Sequence, residues 1–396
     1  MRTRDTQSGQ WIREGATLVL RDVEPHAPAD DEIFFELPAP PAPVRLRHFH
    51  IRKFPDPAAG GALMPDPSAS AMTPAQMKPG YVLPNHPRRQ ALQRALTTLL
   101  QTKYSSALSP AVNLRVALVD LTAAKQHTPT FAGFWAWGSG SAFEGGSLTK
   151  ILALYAVYQL RFDLDTFAAQ KGITKGSVLR SSITAEWKRA GLRSAPNLTA
   201  LFTFAEAPGS PVTARLRKSH DIHHNSVARE LIAQLGFEYI GSVALQSGLF
   251  DEVQGGLWLN AAYNTPAITW TSSPFPALQR HNATALATAT FFTLLAQGRL
   301  VNQATSKEIG KVLAIRVCMT GGLLEGIRRL GGVQAPSPNK CGILPPLYHE
   351  GIHVIRQIPA GKRLEYVVAV LSKEPPPIDF NVLGQDLDAL IVAANP

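Results

Sequence analysis

Residues 145–157 read Gly-Gly-Ser-Leu-Thr-Lys-Ile-Leu-Ala-Leu-Tyr-Ala-Val. Two glycines end one element, and the apolar run from Ile151 to Val157 starts a buried helix. Ser147 and Lys150 lie three apart, so on a helix they share a face about one turn from each other. A serine so placed can act as a nucleophile. A lysine whose pKa is depressed by burial can take its proton or stabilise developing charge. A plainer reading also fits: a serine N-cap with a solvated lysine one turn on. Ser337-Pro-Asn-Lys340 has the same spacing, but Pro336 and Pro338 argue against a helix there.

Working outward, the chain divides by texture. Residues 17–21, 33–37 and 44–51 read as short strands, and fourteen of the 31 prolines fall between Pro25 and Pro87. This predicts a small β appendage at 1–53 and an extended Pro-rich linker at 54–87. From 88 onward the order is a helix at 88–103, strands at 114–121 and 131–137, then the Ser147 helix. A mostly helical stretch at about 150–330 includes 226–235, 283–297 and 304–316. Strands at 351–357 and 364–372 and an amphipathic helix at about 384–394 close the chain. That order predicts an α/β (α+β) fold with one sheet layer and a helical subdomain.

The bulk numbers exclude some classes. The chain has 396 residues, 45% of them hydrophobic and 17% charged, so an ample core is expected. No apolar run approaches a membrane span, and no secretory leader follows Met1. Two compartments stay open: cytoplasmic as the chain stands, or periplasmic or extracellular if a leader is missing. A net charge of +10 favours anionic partners, including an anionic polymer, through basic clusters at Arg45–Lys53 and at Lys188, Arg193, Arg215, Arg217 and Lys218. No nucleic-acid module is legible. Cys318 and Cys341 fit either a pair or two free thiols.

A Ser-Lys acyl enzyme needs a proton relay to the leaving group, an asparagine for the substrate amide, and a cationic strand edge. Here the chain resembles the serine β-lactamase and penicillin-binding-protein (D-Ala-D-Ala peptidase) superfamily, whose motifs are Ser-x-x-Lys, Ser-x-Asn and Lys-Thr/Ser-Gly in that order. The first is Ser147-Leu-Thr-Lys150. The second resembles His223-His224-Asn225, followed by a helix that ends at Gly236. The third resembles Lys340-Cys341-Gly342. Residues 284–300 are similar to the helix and turn that class A β-lactamases carry before the third motif, and the resemblance covers about 90–394.

The resemblance implies a bacterial serine hydrolase or acyltransferase, acting on a small amide, ester or peptide through an acyl-enzyme on Ser147. It implies Lys150 as base, Asn225 as substrate holder and His223 or Lys340 as relay. Cys341 and Gly342 would lie beside the substrate, and backbone N–H groups near Ser147 and after Gly342 would form the oxyanion hole. No cofactor and no metal are expected. Three departures stand out. His223 replaces the family's serine, and Cys341 replaces a hydroxyl. Gly256 falls where class A enzymes carry the deacylating glutamate, with Glu252 four residues earlier. Poor β-lactam turnover follows. The alternative is a catalytically silent binding or scaffolding protein of the same fold.

Other signals have competing readings. His220, His223 and His224 have metal-ligand spacing, but a polar loop with Asn225 as N-cap fits the same run. His48 and His50 share one strand face with no third ligand. Trp135, Trp137 and Trp258 read as buried aromatics before they read as a ligand pocket. Cys341 beside Lys340 is a nucleophile candidate ranked below Ser147, because neighbours on a strand face opposite ways.

Overall fold

The structure is a computed structural model. It describes most of residues 87–396, apart from short gaps such as 109–112, 124–129, 136–142, 190–195, 252–254, 264–267 and 274–280. Before residue 87 it describes only four short strands: β1 (Arg2–Asp5) pairs with β2 (Gln10–Arg13), and β3 (Leu37–Pro38) with β4 (Pro79–Gly80). The strands expected at 17–21 and 44–51, and nearly all of 33–37, lie outside the described residues.

The sheet that organises the rest has the order β14-β15-β16-β5-β6, antiparallel throughout. Its strands are β5 (Arg115–Asp120), β6 (Thr130–Trp135), β14 (Asn339–Leu344), β15 (Leu347–Gln357) and β16 (Arg363–Ser372). β16 and β5 are buried along nearly their whole length because both faces of the sheet are covered. On one face Val116, Leu118, Val368 and Val370 pack with α1 (Pro87–Lys103) and α10 (Phe380–Ala394). On the other, Ala117, Val119, Val367 and Ala369 pack into the helical block. Successive strand residues therefore serve two cores, which is why these strands read as continuous apolar runs.

The helical block contains α2 (Lys150–Lys171), α3 (Gly176–Arg189), α4 (Leu198–Leu201), α5 (Asn225–Leu235) and α6 (Phe237–Gln246). α9 (Leu323–Arg329) lies on the other face of the sheet with α1 and α10, and the block itself continues with α7 (Ala285–Ala296) and α8 (Gln303–Leu313). Small strands interrupt it: β8 (Phe202–Phe204) pairs with β9 (Ala214–Leu216), and β10 (Phe250–Asp251) with β11 (Gly255–Gly256). β12 (Trp258–Leu259), β13 (His281–Ala283) and β7 (Phe143–Glu144) form a three-stranded ribbon. The fold is thus the mixed, antiparallel sheet with flanking helices and a helical block that the element order predicts. α2 is buried on every side over its first three turns, since residues 150–160 are all buried. It is the central helix of the block, and its N-terminus meets the edge strand β14. Among the described residues no helix is long and apolar enough to cross a membrane.

Candidate active site

Ser147 stands in a 3₁₀ turn, Gly146–Thr149, and Lys150 is the first residue of α2. The pair is therefore not on one continuous α-helix. A 3₁₀ turn brings residues three apart into line along its axis, so the shared face survives. Ser147 is half-buried and makes no side-chain cap, so the N-cap reading is not what the structure adopts. Gly146 holds φ at +48°, a left-handed conformation that a glycine adopts at little cost.

The turn is fixed from two sides. The Tyr263 hydroxyl bonds the Gly146 carbonyl at 2.8 Å and the Thr149 hydroxyl at 2.7 Å, and its ring stacks on His281 at 4.2 Å. The Gly145 N–H donates to the His281 carbonyl. On the other side β14 closes in. A Cβ on Gly342 would sit 2.2 Å from the Gly145 carbonyl oxygen and 3.0 Å from the Leu148 nitrogen, so only glycine lets the strand approach.

The Lys150 side chain is buried, 1% exposed. Its ammonium donates to Asn225 Oδ1 at 2.5 Å and to the His223 carbonyl at 3.3 Å, and lies 4.9 Å over the Tyr263 ring. Burial, reinforced by the Arg316 charge and opposed by Asp221, pushes its pKa down to about 8. Asn225 opens α5, whose N-cap is His224. Asn225 itself is not the cap; its side chain bonds Lys150.

Lys340 is also buried, at 1% exposure, with its ammonium 2.8 Å from the Cys341 carbonyl. Burial and the charges of Lys150 and Arg316 hold it well below an ordinary lysine. The His223 imidazole is pushed down to about 4 by burial and then by Lys340, so it is neutral at pH 7. Among the described residues neither of its ring nitrogens is held in a well-formed hydrogen bond. Asp221 is the local counter-charge: it accepts from the His223 backbone at 3.0 Å and lies 3.2 Å from His224 and 3.8 Å from Arg316.

Lys150, His223, Asn225, Lys340 and Gly342 thus come together beside the Ser147 turn from three separate elements. Cys341 does not join them. It is disulfide-bonded to Cys318, and its side chain packs in the core shared by α9 and α10. This corrects two expectations. Cys341 is no thiol nucleophile, and its sulfur is no donor to a substrate, because alternation along β14 sends it away from Lys340 and Gly342.

In the segment expected to resemble the class A deacylation loop, the described residues bond to one another. Asn260 Oδ1 accepts from Trp258 Nε1 at 2.8 Å and from Ser273 at 2.6 Å. Gly256 has φ +138°, and a Cβ there would lie 2.2 Å from the Leu249 carbonyl. No side chain fits at that position; Glu252 lies outside the described residues. Trp258 is fully buried and packs on Trp270 and Phe250. Trp137 and the Trp135 side chain are outside the described residues, as are His48 and His50. Among the described residues no three His, Cys, Asp or Glu converge as a metal set. Tyr263, Arg316 and Asp221 were missed as site residues. Only Asp221 carried a signal, inside the histidine run.

No protein-family model matches this chain, and no curated protein matches it. Among solved structures it is similar to a β-lactamase from Sphaerobacter thermophilus, at 16% identity and TM-score 0.43 over 76% of this chain and 94% of that one. It is also similar to PBP-A, at 16% identity and TM-score 0.42, covering 75% of this chain and 96% of that one. A representative class A β-lactamase from Bacteroides cellulosilyticus aligns at 13% identity and TM-score 0.42, over 78% of this chain and 99% of that one.

Proposed function

We propose that the chain is a serine acyl-transfer enzyme of the penicillin-binding type, acting on a small amide or ester. Ser147 Oγ attacks the carbonyl carbon while its proton passes to Lys150. The tetrahedral oxyanion is held by backbone N–H groups of the Ser147 turn and of β14 after Gly342. The proton held by Lys150 then passes, with His223 or Lys340 as relay, to the leaving group as its bond to the carbonyl carbon breaks, leaving an ester on Ser147 and Lys150 neutral again. Water then hydrolyses the ester, or a second nucleophile accepts the acyl group. The observation that carries the reading is the buried Lys150, with a pKa lowered to about 8, at the end of the Ser147 turn and bonded to Asn225. With a glycine at position 256, a carboxylate base is missing there and the ester is expected to be long-lived.

A second reading has an observation behind it. The Lys150 ammonium is bonded to Asn225 and to the His223 carbonyl, and among the described residues no hydrogen bond joins it to the Ser147 hydroxyl. A silent binding protein would look the same. Intact-mass spectrometry after incubation with a fluorescent penicillin separates the two. An adduct of the whole penicillin, absent in Ser147→Ala, is expected. No adduct with penicillin or with an ester panel, in folded protein, favours the silent protein.

A further inference from the structure

A cavity of about 650 Å³ opens between the middle of α2, β9 and α8. It is separate from the Ser147 site: Arg161 stands eleven residues beyond Lys150 on α2, about 16 Å along the axis. Five cations line it, Arg161, Arg215, Arg217, Lys218 and Lys311, against two carboxylates, Asp165 and Glu308. Both carboxylates are engaged. Asp165 accepts the Ala214 N–H at 2.8 Å, and Glu308 takes both terminal nitrogens of Arg161, at 2.8 and 3.1 Å. Lys218 pairs with Glu230 at 3.2 Å. Among the described residues Arg215, Arg217 and Lys311 have no carboxylate partner, so uncompensated positive charge is left on one cavity.

The remaining lining is mixed. Tyr158, Phe162, Leu216 and Ala214 supply apolar wall, and the Tyr158 and Thr305 hydroxyls supply neutral donors. Burial, then the Glu308 charge, pushes the Tyr158 phenol up to about 12, so it keeps its proton at neutral pH. Several cations around one concavity focus potential and favour an anion with more than one charge over a single carboxylate.

We infer that this cavity binds a small phosphate-bearing ligand with at least two negative charges, a diphosphate being the simplest form. Arg215 and Lys311 are its principal contacts from opposite walls, with Arg217 and the hydroxyls completing the set. The inference does not depend on the chemistry at Ser147.

The test is calorimetric titration of the full chain with inorganic pyrophosphate at low ionic strength. Arg215→Ala/Lys311→Ala is compared with Arg328→Ala/Lys373→Ala, which removes two exposed cations that do not line the cavity. Saturable one-to-one binding is expected. It should weaken at least tenfold in the first variant and less than twofold in the second. Equal weakening in both variants, or no saturable binding by wild type, overturns the inference. Phosphatidate vesicles form the second arm. If they are retained by wild type and lost by Arg215→Ala/Lys311→Ala while pyrophosphate binds neither, the patch docks a lipid surface and the small-ligand inference fails. Arg215 and Lys311 are both exposed, so loss of the fold does not confound the result; unchanged melting curves check this.

Discussion

At the scale of single residues, the proposed chemistry turns on Lys150. An ammonium buried to 1% exposure beside Arg316 gives up its proton more readily than a free lysine. Below about pH 8 the neutral base is the minor form, so acylation of Ser147 should rise about tenfold per pH unit and level off above about 8. Adduct formation followed by mass from pH 6 to 9 checks this, and Lys150→Ala should slow it by about 100-fold or more. A flat profile would remove Lys150 from the role of base. Glu350 is a second residue with a consequence. It is fully buried, one oxygen accepts the Leu323 N–H at 2.6 Å, and the other has no hydrogen-bond partner among the described residues. Burial raises its pKa to about 7. The folded state therefore holds this proton where the unfolded chain has lost it, and stability should fall as pH rises from about 4.5 to 7. Denaturant titrations at pH 5 and 7.5 should show a loss on the order of 2 kcal/mol that Glu350→Gln abolishes.

At the scale of elements, the site depends on how closely one edge strand approaches one turn. β14 carries Lys340 and Gly342 toward the helical block and Cys341 away from it. Gly342→Ala would place a methyl 2.2 Å from the Gly145 carbonyl, and turn and strand would have to part. A loss of about 2 kcal/mol in stability is expected, with labelling of Ser147 at least tenfold slower. Unchanged labelling at reduced stability would show that the strand's approach does not matter to the reaction. The elements themselves were largely legible. The helix at 226–235 appears as Asn225–Leu235 and the strand at 364–372 as Arg363–Ser372, because strong periodicity and β-branched runs mark them. The Ser147 turn was not legible as a 3₁₀ turn, since the difference from a first helical turn lies in the packing of Tyr263 and Gly342 against it.

At the scale of the whole molecule, three distant segments meet at the Ser147 turn: 147–150, 221–225 and 340–342. The order of their motifs was visible in the chain, and so were Lys150, His223, Asn225, Lys340 and Gly342 as candidates. What the sequence by itself determined was local: strand runs at 114–121 and 364–372, an apolar helix after two glycines, and an excess of positive charge. Only the tertiary structure decided the rest. It joined Cys341 to Cys318, gave Lys150 the partners Asn225 and Tyr263, set Arg316 and Asp221 beside the lysines, and gathered Arg215 and Lys311 on one cavity. The physical reason is range. Periodicity and backbone preference act over a few residues, whereas burial, charge–charge coupling and cavities depend on which distant side chains the fold brings within a few ångströms.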